Sequence, residues 1–348
     1  MDGNRYEHYL ALTCPSLGPN HLRRLLMAIN PAATSRLSPD VKKMLALMAD
    51  KTIPPLETLT IPEMRKAYKQ IGSMLGGEPL AVHAVTALKV TEGPHAIPLR
   101  LYQPDPPGDE ALPVTVYLHG GGWSVGDLDS HDRVCRRFAR TTGYPVLAVD
   151  YRLAPEHPAP AGPDDVVSAI RWLAAHADEL GLDASRIAVA GDSAGGSLAA
   201  VACQQLRAGE VTLRAQVLFY PSTDLSPSGD AFPSREQNGT VPPLTLSLMK
   251  AMSEPFVVGF DRRNPKVSPL LATDFTGLPP ALIFTGECDV LRDDGRAYRD
   301  ALQQAGVAVE YIEYPGMVHG FIEMAGVLPV TDAAIQRAGA FLTENFHR

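Results

Sequence analysis

Residues 191–195 read Gly191-Asp192-Ser193-Ala194-Gly195, a G-x-S-x-G string directly after the strand-like run 186–190 and followed by the helix-forming segment 197–206. Glycines two places before and after a serine suit a strand-to-helix turn so sharp that a Cβ there would strike neighbouring backbone. The turn exposes the serine hydroxyl at a strand's carboxyl end and at a helix N-terminus, where free N–H groups favour developing negative charge. Such strings occur by chance in Gly/Ala-rich chains, but the strand before and the helix after favour a nucleophile, Ser193, over a plain glycine-rich turn. A second element, His119-Gly120-Gly121-Gly122-Trp123, follows the run 114–118. Successive glycines let backbone N–H groups converge on one point, as an oxyanion requires. Gly121 and Gly122, with Ala194 after the nucleophile, are the candidate donors. The segment has neither the G-K-[ST] ending of a phosphate loop nor the G-x-G-x-x-G spacing of a dinucleotide site. His119 reads as a structural residue that holds the loop through a ring hydrogen bond.

A serine hydroxyl needs a base, and the base an orienting carboxylate. Downstream, the run 281–286 ends at Glu287-Cys288-Asp289, and the run 307–314 is followed by Gly316-Met317-Val318-His319-Gly320-Phe321. Both fall just past strand ends, where open α/β sheets place their sites. His319 is the candidate base. For the acid, Asp289 competes with Glu287, Asp293 and Asp294. The last two read as first-turn helix residues that meet the helix dipole, which leaves Glu287 as the main rival. Asp192, beside the serine, reads as a brace for the turn.

These residues need a scaffold, and from residue 81 the chain alternates strand and helix. β-rich runs fall at 81–90, 97–103, 114–120, 145–152, 186–193, 215–221, 281–287 and 307–315, with helical patterns near 131–142, 164–180, 194–208, 293–305 and 331–346. Near-continuous apolar runs such as 187–190 suit strands covered on both faces, hence a mostly parallel central sheet flanked by helices. The first two runs have no helix between them and should pair antiparallel. The stretch 224–270 breaks the alternation with seven prolines and one expected helix, at 244–252. Upstream, Ser38 should cap a helix with Val41, Met44, Leu45 and Met48 on one face. A second should follow Pro62, with Met64, Ala67, Tyr68 and Ile71 on its apolar side and Gly76-Gly77 as its stop. These two helices are candidates for a lid or cap, or simple additions to the outside of the fold.

A length of 348 residues suits two domains, or one large α/β domain with an insertion. The balance of 31 basic against 39 acidic residues, net −8, speaks against a nucleic-acid partner. With 45 % hydrophobic and 20 % charged residues, the chain is globular rather than disordered. No apolar run reaches the roughly 18 residues of a membrane span, and residues 1–18 lack the basic flank and cleavage site of a signal peptide. Cys14, Cys135, Cys203 and Cys288 have neither zinc-site spacing nor the density of a disulfide scaffold. A reduced, cytoplasmic protein is expected.

Residues 80–346 resemble the hormone-sensitive-lipase-type (bacterial family IV) carboxylesterases of the α/β-hydrolase superfamily. The resemblance rests on His119-Gly120-Gly121-Gly122, Asp150-Tyr151-Arg152-Leu153-Ala154-Pro155-Glu156-His157-Pro158, Gly191-Asp192-Ser193-Ala194-Gly195-Gly196, Asp289-Val290-Leu291-Arg292-Asp293 and His319-Gly320-Phe321. It implies an α/β-hydrolase fold with a mostly parallel eight-stranded sheet and a helical cap. Residues 1–80 would form an N-terminal cap segment, and 81–348 the catalytic domain with a cap insert at about 224–263. Ser193, Asp289 and His319 become the expected triad, which settles Asp289 over Glu287, and Gly121, Gly122 and Ala194 the expected oxyanion hole. The implied activity is hydrolysis of short- to medium-chain acyl esters of small molecules through an acyl-enzyme, with no metal or organic cofactor and no membrane partner. An amidase or deacetylase-like enzyme, or a lipase, would use the same triad; a non-catalytic receptor on this fold would lack the histidine. Relatives dimerise through the last sheet strand, here 307–314. Trp123 and Phe321 are expected to line the substrate pocket or to pack, and Arg152 and Glu156 to hold the loop beneath the oxyanion hole by an ion pair or hydrogen bonds. Val290 stands where the family often has proline, and Asn264 where it often has an aspartate.

Overall fold

The computed structural model describes residues 29–49, 54–106, 108, 110–207, 209 and 211–348. The expectation of no signal peptide, Cys14 and the first part of the N-terminal cap segment lie outside the described residues. Among the described residues the first α-helices are α1 (Pro31–Arg36), α2 (Pro39–Ala49) and α3 (Ile61–Leu75). The Ser38 hydroxyl accepts the Val41 N–H at 3.2 Å, the expected cap of α2. A capping box joins Thr60 and Glu63 at the start of α3. The helix α1 is an addition to the sequence reading. Its cue is Asn30, whose side chain accepts the Ala32 N–H ahead of a first-turn proline.

One sheet of eight strands organises the rest: β1 (Ala84–Val90), β2 (Ile97–Gln103), β3 (Leu112–Leu118), β4 (Val146–Val149), β5 (Leu182–Asp192), β6 (Leu213–Phe219), β7 (Ala281–Gly286) and β8 (Val309–Tyr314), in the spatial order β1-β2-β4-β3-β5-β6-β7-β8. β1 and β2 pair antiparallel as expected, and β2 also meets β4 antiparallel; every other pairing is parallel. The crossovers are α4 (Asp132–Thr142), α5 (Ala161–His176), α6 (Ala194–Leu206) and, between β7 and β8, a helix introduced below. Because side chains alternate across a strand, Val114, Val116, Leu118, Ile187 and Val189 enter one core layer with Ile170 and Leu173 of α5 and Leu198 of α6. Their neighbours Tyr117, Ala188, Ala190 and Phe219 enter the other, with Phe138 of α4 and Leu342 of the last helix. Each fully buried Leu, Ile or Phe in these layers contributes roughly 1.5–3 kcal/mol.

The irregular stretch after β6 holds more helix than its prolines suggest. It forms α7 (Pro227–Asp230), α8 (Pro233–Asn238) and α9 (Leu246–Phe256), followed by α10 (Arg292–Gln304) and α11 (Val330–Phe346). Pro227 and Pro233 sit in the first turns of their helices, where a fixed φ helps and the missing N–H costs nothing. Met64 of α3 packs with Leu248, Met249 and Met252 of α9 in a small separate core. The N-terminal helix and the insert helix thus meet above the carboxyl ends of the strands. No helix among the described residues is long and apolar enough to cross a membrane.

Candidate active site

β5 ends at Asp192 and α6 begins at Ala194, with Ser193 between them at φ 56° and ψ −118°. That conformation costs a non-glycine residue on the order of 1–3 kcal/mol and persists only where the surroundings enforce it. The enforcement is visible: a Cβ on Gly195 would stand 1.9 Å from the Leu118 carbonyl oxygen, and one on Gly191 2.4 Å from that of Gly195. The Ser193 N–H donates to the Phe219 carbonyl at 2.9 Å, which anchors the turn to the end of β6.

His319 follows β8, and its Nε2 lies 3.0 Å from Ser193 Oγ. Its Nδ1 lies 2.8 Å from Asp289 Oδ2. A carboxylate can only accept here, so Nδ1 carries a proton, which leaves neutral His319 with Nε2 free to accept the serine proton. Asp289 is buried, its Oδ1 accepts the Leu291 N–H at 2.8 Å, and Asn238 at the end of α8 donates to its carbonyl at 2.8 Å. The rival acids are spent elsewhere. Glu287 accepts the Gly316 N–H at 2.8 Å and pairs with Arg36. Asp293 and Asp294 lie in the first turn of α10, paired with Arg292 and Arg235; burial nevertheless pushes Asp294 up to about 6.

Gly121 and Gly122 have φ of 114° and 57°, and a Cβ on Gly122 would fall 2.5 Å from Met252 Cβ of α9. Both line the pocket in front of Ser193 and His319. Ala194 N–H belongs to the first turn of α6, where no intrahelical acceptor exists. His119 stacks on Tyr151 with ring centres 4.2 Å apart, and its Nδ1 lies 2.8 Å from the Gly120 carbonyl. Burial, aided by His131, pushes it down to about 4, so it is a neutral ring that stiffens the loop.

Asp192 braces the turn, as expected: its Oδ1 accepts the Tyr117 hydroxyl at 2.9 Å and the Gly120 N–H at 3.1 Å. It has a partner that spacing alone could not reveal. His131 Nε2 lies 3.4 Å from Asp192 and 3.7 Å from Glu323, and Glu323 in turn accepts the Tyr68 hydroxyl of α3 at 2.8 Å. Ser130 Oγ gives its proton to the Asp127 carbonyl, so it accepts from His131 Nδ1 at 3.0 Å. Burial opposes charge on this ring, but Asp192 and Glu323 outweigh it and hold His131 up at about 9. The same imidazolium overcomes burial at Asp192 and lowers that carboxyl. Tyr220, packed against His319 at 4.5 Å, is a further neighbour outside the motifs.

The expected pocket residues go elsewhere. Trp123 is buried and stacked flat on Phe256 at 4.6 Å, and Phe321 is buried edge-on against Tyr220 and Tyr314. Neither lines the pocket, because the loops carrying them turn inward to complete the core. Apolar side chains of α3 and α9, among them Ile71, Leu75, Leu248 and Met252, line it instead. Arg152 and Glu156 do not pair with each other. Arg152 meets Asp165 at 2.8 Å, and Glu156 meets Arg65 of α3 at 2.6 Å.

Residues 115–323 match a family model described as the alpha/beta hydrolase fold. The chain is 46 % identical over 258 residues to a carboxylesterase of Mycobacterium tuberculosis, covering 72 % of this chain and 79 % of that protein. It is 38 % identical over 310 residues to an ethyl acetate hydrolase of Pseudomonas putida, covering 86 % and 96 %. Among solved structures, a serine-to-alanine mutant of an α/β-hydrolase enzyme from the metagenome of Lake Arreo, Spain, aligns with a TM-score of 0.85 at 39 % identity, over 90 % of this chain and all of that one. A hyperthermophilic esterase from the archaeon Pyrobaculum calidifontis aligns with a TM-score of 0.81 at 36 % identity, over 89 % and 98 %.

Proposed function

The chain belongs to the α/β-hydrolase-fold family, in its hormone-sensitive-lipase-like branch, and is a carboxylic ester hydrolase; from that premise we propose that Ser193, His319 and Asp289 carry the reaction through an acyl-enzyme. His319 Nε2 takes the proton of Ser193 Oγ as the oxygen attacks the ester carbonyl. The N–H groups of Gly121, Gly122 and Ala194 receive the negative charge that forms on the carbonyl oxygen. Asp289 keeps the proton on Nδ1 and offsets the imidazolium charge. His319 then protonates the departing alkoxide, and in the second half activates a water that cleaves the acyl-serine and returns the proton to Oγ.

The observation that carries this reading is the relay from Ser193 Oγ to His319 Nε2 at 3.0 Å and from Nδ1 to Asp289 Oδ2 at 2.8 Å. Ser193→Ala should abolish turnover of 4-nitrophenyl butyrate without changing the fold; substantial remaining turnover overturns it. We also assign the cap role to α3 and α9, whose apolar side chains meet over the nucleophile and favour short to medium acyl chains. A rate series on 4-nitrophenyl esters from acetate to palmitate should peak at the shorter members, and undiminished activity on palmitate would mark a lipase.

A further inference from the structure

Glu323 stands in the pocket but has no part in the relay. It closes the short helical turn Phe321–Glu323, directly after Gly320 at φ 79°. Among the described residues lining the pocket it is the single carboxylate, set among apolar side chains of α3 and α9. Its two oxygens have different surroundings. Oε2 accepts the Tyr68 hydroxyl at 2.8 Å and faces His131 Nε2 at 3.7 Å. Oε1 makes no hydrogen bond among the described residues, and the side chain retains 15 % exposure, toward the pocket it lines. It lies 3.9 Å from where a Cβ on Gly320 would stand, beside the residue that follows His319. Rotating the carboxylate to hide Oε1 would give up the bonds of Oε2. An alkyl chain laid over that oxygen would strip its water without replacing it, a cost a polar substrate group removes.

We propose that Glu323 Oε1 selects esters that carry a hydroxyl group within a few bonds of the reacting carbonyl, over alkyl esters of the same size. A hydroxyl donates to a carboxylate and accepts from a carboxylic acid, so it pairs with Glu323 in either protonation state. A site built around such a bond discriminates strongly against the analogue that lacks it, because its own polar atom is then left unpaired. The assignment deepens the ester-hydrolase reading and rests on it.

The test uses matched pairs on the full chain: ethyl 3-hydroxybutyrate against ethyl 3-methylbutanoate for a hydroxyl on the acyl side, and 2-hydroxyethyl butyrate against propyl butyrate for one on the alcohol side. In at least one pair the native enzyme should favour the hydroxylated member in kcat/KM by roughly ten- to hundredfold, the range of a hydrogen bond to a charged group. Glu323→Leu should bring that ratio close to one. Because the ratio is taken within one protein, a general loss of activity cancels. If circular dichroism shows Glu323→Leu unfolded, Glu323→Gln, which keeps the shape and a weaker acceptor, should reduce the ratio several-fold. No preference in either pair, or a preference that survives both substitutions, overturns the proposal. Failure of the underlying reading would look different: neither member of a pair is hydrolysed, or hydrolysis persists in Ser193→Ala.

Discussion

Arg65 of α3 grips Glu156 with both guanidinium arms, at 2.9 Å to one carboxylate oxygen and 2.6 Å to the other. Its Nε also donates to the Ser124 carbonyl at 2.9 Å and its Nη2 to that of Ala154 at 3.1 Å. One side chain therefore ties the N-terminal helix to the oxyanion loop and to the loop after β4. The Glu156 end is half exposed, so the ion pair itself is worth less than about 1 kcal/mol, whereas carbonyls left unpaired cost about 1–3 kcal/mol. Arg65→Ala should lower urea-unfolding stability by about 1–3 kcal/mol and raise KM for 4-nitrophenyl butyrate as α3 loosens. Glu156→Gln should do much less of both, and equal effects would refute this division.

Asp289→Asn tests the orienting carboxylate. An amide nitrogen donating to His319 Nδ1 would force the imidazole proton onto Nε2, where it cannot accept from Ser193. The expected loss in kcat is about 10⁴-fold near neutral pH, the size known for this substitution in a serine protease triad, with little change in KM. A loss below tenfold would transfer the role to another group.

His131 makes stability depend on pH. In the folded chain its proton is held up to about 9, against an ordinary value of 6.5. Below 6.5 both folded and unfolded chains carry the proton and the full contribution is present. Between 6.5 and about 9 the unfolded chain has released the proton while the folded one keeps it, so stability falls as pH rises through this window. Urea midpoints measured from pH 6 to pH 10 should decline for the native protein and flatten over that window in His131→Gln. A parallel decline in both would place the titration elsewhere.

The nucleophile turn and the glycine loop were legible in the sequence because their backbone can be formed by few residues. Gly191 and Gly195 have no room for a Cβ, and that intolerance is written locally. The alternation of strand and helix was legible for the same reason, since periodicity is local. The partners of Asp192 and Asp289 were not. His131 lies 61 residues from Asp192, and Asn238 51 residues from Asp289, and they meet only through the packing of separate loops. Trp123 and Phe321 show the same limit from the other side: an aromatic beside a motif faces pocket or core according to the turn of its loop. The prolines of 224–270 misled because a proline in a helix's first turn and one in a loop look alike in composition.

The serine and histidine of the relay are 126 residues apart, and β6, β7 and β8 lie between them. A ribosome adding about 5–20 residues per second therefore exposes the nucleophile roughly 6–25 s before it makes the base. The elbow has β3 beside it from the start and gains β6 within that interval, while on the proposed mechanism its hydroxyl still lacks the base. On the proposed relay, activity should therefore appear only once the final strand of the sheet has been made.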